Sequence, residues 1–154
     1  MGMATARALG KEILEMPFPV QIGGEAAMVL LAVAYLLAKH ATADFILQTE
    51  TQRREKGIYG ATGGLTHSLT HIAFTAPVFA LLPVTATGIM ATLLTAEFVL
   101  HYHVDWAKEQ IVRRNAWTSH NRYFWWAIGI DQLLHGLSYV GLIWLALGLA
   151  TGQG

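Results

Sequence analysis

A chain of 154 residues that is 54% hydrophobic and only 13% charged is sized for one domain and is poor in charge for a soluble one, where about a quarter of residues are charged. Its 10 basic and 10 acidic residues cancel, so no net field argues for nucleic acid as a partner. With no cysteine and seven histidines, disulfides and thiolate ligands are excluded, and a metal would be held by nitrogen and oxygen alone.

In chain order, residues 1–24 form an N-terminal segment in which 4–16 reads as a short interfacial helix, stopped by Pro17 and Pro19. Residues 25–150 form the domain proper. Four stretches, at about 25–48, 65–82, 84–107 and 123–149, each supply the roughly 20 mostly apolar residues that cross a bilayer. The expected fold is therefore all-α, a four-transmembrane-helix bundle with a short N-terminal interfacial helix. Residues 60–64, "GATGG", read as a flexible turn before the second span, and Pro83 marks a tight turn after it. Basic residues gather after the first span (Arg53, Arg54, Lys56) and after the third (Lys108, Arg113, Arg114, Arg122). The positive-inside rule puts those loops in the cytoplasm and both termini in the periplasm.

Each span also carries a polar stripe. His40 and Asp44 stand four apart, with Gln48 one turn on; His67 and His71 are four apart; Glu97, His101 and Asp105 continue the spacing, and Asp131 and His135 repeat it. Side chains at i and i+4 share a helix face. In the expected topology the four stripes meet in the cytoplasmic half of the bundle. Ionisable groups in a bilayer are costly unless partnered, and a divalent ion, zinc or iron or manganese, is an economical partner for imidazoles and carboxylates together. Bundle cores hold dinuclear carboxylate–histidine sites of this kind. The expected metal ligands are His40, Asp44, His67, His71, His101, Asp105, Asp131 and His135. Glu97 is expected as a further ligand or as the general base for an activated water, with Gln48 and Lys108 orienting substrate. The competing reading is a set of buried hydrogen-bonded pairs that tie helices together.

The stretches "KHATADFILQTE", "LTHSLTH", "EFVLHYHVDWAK" and "DQLLH" resemble a family of small bacterial membrane proteins, domain of unknown function 3307. The resemblance implies a bacterial inner-membrane location and no established activity. "GGLTHS" is also similar to an element of membrane-bound metal-dependent hydrolases, although "GATGG" stands where their preceding histidine and arginine are expected.

The leading expectation is a membrane-embedded metal-dependent hydrolase of a lipid or lipid-linked phosphate or ester at the cytoplasmic leaflet. A di-iron oxidative enzyme is the first alternative, since His67-x-x-x-His71 and His101-x-His103 are reminiscent of the histidine boxes of membrane desaturases. Axial haem ligation, ion or proton relay, a homo-oligomer, and an accessory subunit of a membrane complex are the readings without catalysis by this chain alone.

Overall fold

A computed structural model describes residues 23–84 and 86–151, all helix or connection with no strand among them. The expected interfacial helix at 4–16 lies outside the described residues. Helix α1 (Gly24–Thr42) runs into a five-residue π-helical turn, Ala43–Leu47. A short helix α2 (Glu50–Glu55) follows, then α3 (Thr62–Thr75) with a 3-10 continuation over Ala76–Ala80. Helices α4 (Thr87–Arg114) and α5 (Arg122–Thr151) complete the described residues. The four long helices pack in the cyclic order α1, α3, α4, α5 and back to α1.

Two of them, over Gly24–Leu47 and Arg122–Ala150, are long and apolar enough to cross a membrane. The expectation of four such helices is met in two. Helix α3 is α-helical for only 14 residues. Helix α4 has the length but carries Glu97, Asp105, Lys108 and Glu109 along it.

The interior divides along the bundle axis. One half is an apolar core that includes Ala32 and Leu36 from α1, Leu93 from α4, and Leu142, Ile143 and Ala146 from α5. The other half is polar, with Lys39, His40, His67, His71, Glu97, His101, Asp105, Asp131 and His135 all buried. The same antiparallel order explains both halves: polar groups follow the apolar ones along α1 and α4 and precede them along α3 and α5.

The loops at the polar end lock together. Thr49 caps α2 in a reciprocal box with Gln52: the Thr49 hydroxyl accepts from the Gln52 N–H at 3.3 Å, and Gln52 Oε1 accepts from the Thr49 N–H at 2.9 Å. On the exposed side of α2, Arg53 and Arg54 bond Glu50 and hold its carboxyl down at about 2. Arg113 Nη2 donates to the Arg54 carbonyl and Gln110 Nε2 to that of Gly57, both at 2.6 Å, which puts the two basic segments at one end of the molecule.

The "GATGG" stretch is not a flexible turn. Gly60 sits at φ +79°, a backbone that glycine adopts without strain, but Thr62 already begins α3. The Glu55 carboxylate accepts from the Gly63 N–H at 2.7 Å and so caps the positive end of α3. A Cβ at Gly63 would stand 2.7 Å from the Thr51 carbonyl oxygen, whereas one at Gly129, mid-helix in α5, would meet nothing within 4 Å. Gly63→Ala is therefore expected to destabilise by about 1–3 kcal/mol through overpacking. Gly129→Ala is expected to stabilise by roughly 0.5–1 kcal/mol through helix propensity. Unfolding of the purified variants in one detergent checks both signs.

Candidate metal centre

Each long helix delivers its polar groups by the i+4 rule, as a continuation of its own apolar stripe. In α1 the series is Leu36, His40, Asp44; in α4 it is Leu93, Glu97, His101, Asp105; in α5 it is Asp131, His135, Tyr139, Ile143. Helix α3 contributes His67, His71 and Thr75. Asp44 falls in the π-helical turn, a local widening that often accompanies functional residues.

The result is a tight cluster. Asp44 Oδ1 lies 3.1 Å from His67 Nε2 and 3.2 Å from His71 Nε2, while its Oδ2 lies 3.3 Å from His40 Nε2. Asp105 Oδ2 is 3.2 Å from His67 Nε2 and 3.5 Å from His101 Nε2. Its Oδ1 faces Lys56 Nζ at 3.3 Å and His135 Nε2 at 3.8 Å, and His135 Nε2 is also 3.6 Å from Asp131 Oδ1. The imidazoles touch one another as well: the ring centres of His71 and His101 are 3.8 Å apart and those of His101 and His135 4.2 Å.

Many of these atoms approach without bonding. His40 Nε2, both nitrogens of His101, His135 Nε2, Asp105 Oδ2 and Asp131 Oδ1 are buried with no hydrogen-bond partner among the described residues. The nearby carboxylate oxygens are at ion-pair distance but out of line for hydrogen bonds. Native proteins tolerate only a few such atoms per hundred residues, at about 1–3 kcal/mol each. Concentrated in one place, they are what a shared cation would satisfy. Two ligands bound to one ion at about 2.1 Å stand roughly 3.0–3.4 Å apart, close to the observed nitrogen–oxygen separations.

Three sets of ligand atoms lie within 4.8 Å of one another: Asp44, His67, His71 and His101; His40, His101 and His135; and Asp105, Asp131 and His135. The first and third share no residue, so both can be filled at once. Asp105 faces His67 and His101 with one oxygen and His135 with the other, the position of a bridging carboxylate. Charge points the same way. With the imidazoles neutral, as ligation of a metal requires, the carboxylates of Asp44, Asp105, Asp131 and Glu97 face two buried ammoniums, Lys39 and Lys56, which leaves two negative charges for a cation to offset. The buried His/Asp groups can therefore hold a metal ion.

All eight expected ligands fall in these sets. Glu97 lies outside them: its Oε1 receives Lys39 Nζ at 2.7 Å and the Thr75 hydroxyl at 2.8 Å. Gln48 Nε2 lies 3.3 Å from the His67 ring nitrogens, at the edge of the cluster. Lys108 is one shell further out and donates to Glu109 at 2.9 Å. His103 is exposed and bonds the Val99 carbonyl, and His120 is exposed in its loop.

The sequence reading missed several partners. The Tyr139 hydroxyl is 3.0 Å from His40 Nδ1, and Gln132 Nε2 donates to Asp44 Oδ2 at 2.9 Å. Tyr139 and Thr75 were findable, since each extends a stripe by four residues. Lys56 was not, because only the fold of the loop brings it to Asp105.

No curated protein and no solved structure matches the chain. Residues 31–151 match the family described as protein of unknown function (DUF3307). That match begins within α1 and takes in the other three long helices and every residue of the cluster, and the chain belongs to the DUF3307 family.

Proposed function

We propose that this chain is a membrane-embedded, metal-dependent hydrolase whose dinuclear His/carboxylate centre acts on a phosphate or ester bond of a lipid or lipid-linked small molecule. The observation that carries the reading is the convergence of buried, unbonded ligand atoms from all four long helices.

The membrane setting is supported by an outer helix surface that is apolar around an interior of which one half is polar. Phe45, Ile46 and Trp144 are 68%, 75% and 72% exposed, while Lys39, Lys56, Glu97, Asp105 and Asp131 are buried. Lipid facing the outer surface accounts for that inversion. The 3-10 continuation gives α3 reach, because a rise of about 2.0 Å per residue brings α3 and its extension to roughly 30 Å, the thickness of the hydrocarbon core. The polar half lies toward the basic end, which by the positive-inside rule faces the cytoplasm and leaves both termini outside.

A bound divalent ion supplies Lewis acidity toward a phosphoryl or acyl oxygen. The chain supplies the rest. His40 belongs to neither of the two non-overlapping ligand sets, and with Nδ1 held at Tyr139 its Nε2 is the atom that takes a proton from attacking water and returns it to the leaving group. Lys39 and Glu97, closed against each other beneath the cluster, separate it from the apolar core. Lys56 fixes Asp105, and Gln48 and Lys108 border the substrate side.

Protein purified in detergent is expected to hydrolyse long-chain phosphate monoesters or esters, to lose that activity on chelation, and to regain it with zinc, manganese or iron. Hydrolysis that survives full chelation would overturn the reading. So would metal-loaded protein that is inert toward both bond types, and an iron-bound form with an oxygen-dependent optical band would point to the oxidative alternative instead.

A further inference from the structure

A groove of about 700 Å³ runs along the outer face between α4 and α5. Its volume is within the range of about 300–1,000 Å³ typical of small-molecule sites. The walls are apolar, with Val99, Leu100, Val104, Ile130 and Leu134 toward the middle of the bundle. Beyond Val99 and Leu100 the face of α4 continues as a second depression bordered by Ala91, Thr92, Thr95 and Ala96. From Ala91 to Ile111 the track measures roughly 30 Å along the helix, enough for a long hydrocarbon chain.

The groove also has polar features: His103 and Asp131 stand among the middle walls, and Lys108, Trp117, Tyr123 and Trp126 lie toward the basic end. Asp131 is only 3% exposed, with Oδ1 unbonded and belonging to the third ligand set. At the mouth the Arg122 guanidinium covers the Tyr123 and Trp126 rings at 4.9 and 5.3 Å. Lys108, which pairs with Glu109 at 2.9 Å, and Arg122 at the mouth put two cations at the basic end of an apolar trough. That pattern suits an anionic amphiphile able to displace Glu109 from Lys108.

We propose that the groove between α4 and α5 receives one hydrocarbon chain of a membrane lipid and holds its phosphate end at Lys108, next to Asp131. This rests on the proposed metal centre, which takes up the charge with which Asp131 would otherwise repel a phosphate. It deepens that reading by naming the substrate as a single-chain lipid phosphate that enters sideways from the bilayer. Lys108 is here a positioning residue, and the groove selects for chain.

The test uses full-length protein in detergent and hexadecyl phosphate bearing a diazirine at the chain end. Photolysis is expected to place adducts on α4 within residues 91–104 and on α5 near Leu134. Labelling is expected to fall about tenfold in Leu134→Trp, which fills the trough, and in Lys108→Gln, which removes the head-group cation. It should be unchanged in Leu145→Trp, an exposed position on α5 outside the groove. Adducts spread evenly over the outer surface, Leu30 and Leu31 of α1 included, would overturn the proposal. Undiminished labelling of Leu134→Trp would also overturn it. Metal content measured on the same samples separates the two ideas: an unlabelled groove in metal-loaded protein refutes the groove alone.

Discussion

Replacing Asp105 with alanine is expected to strip metal from the protein and abolish activity while the helices remain. Asp105 is the hub of the cluster, within 3.8 Å of His67, His101, His135 and Lys56. Even an outer-shell partner of a metal ligand is worth about 10–100-fold in affinity or activity. A carboxylate that faces both ligand sets should exceed that range, so metal content should drop by at least one ion per chain. Two effects add to the loss: the Lys56 ammonium is left buried without its counter-charge, and His67, His101 and His135 lose the carboxylate they face. Asp105→Asn keeps the volume and removes only the charge. It should bind metal more weakly than the parent and unfold later than Asp105→Ala. Elemental analysis beside circular dichroism checks this, and an Asp105→Ala protein with full metal content would remove Asp105 from the centre.

The second large effect is expected at the Lys39–Glu97 pair. Lys39 Nζ is fully committed, 2.7 Å from Glu97 Oε1, 3.1 Å from the His71 carbonyl and 4.6 Å from the centre of the Tyr139 ring. Both side chains are nearly inaccessible, at 3% and 2% exposure. Removing one partner of such a pair strands a buried charge and costs about 3–5 kcal/mol. Lys39→Met should therefore destabilise by about that amount. The double variant Lys39→Met/Glu97→Leu should recover much of it, because replacing a whole buried pair by apolar groups is often close to neutral. A double-mutant cycle on detergent unfolding reads the difference. Strictly additive losses would mean that the two residues do not act as a pair.

The repeating fours made much of this centre legible in the sequence. His40 and Asp44, His67 and His71, His101 and Asp105, and Asp131 and His135 each mark one helix face, and the helix boundaries put all four pairs at one end of the bundle. What remained hidden depended on contacts between segments far apart in the chain. Lys56 and Asp105 are 49 residues apart, and Lys39 and Glu97 are 58 apart. Neither pairing has a local signature, so Lys56 read as one of several basic loop residues and Glu97 as a further ligand or the general base. Helix α2 was different: Thr49 and Gln52 carry a capping box that announces a helix in what otherwise reads as a loop. The glycines of "GATGG" misled for a plain reason. Composition cannot distinguish a glycine that bends, such as Gly60, from one that lets Thr51 approach a helix start, such as Gly63.

The most direct measurement is the number of metal ions per chain, by elemental mass spectrometry of protein purified without a metal-affinity step, for the parent and for His67→Ala/His71→Ala. A centre built from four helices predicts at least one tightly held first-row ion in the parent, two if both non-overlapping sets fill, and the loss of at least one in the double variant. Less than one ion per chain in the parent, with no change in the variant, would contradict it and leave the histidines as buried packing groups.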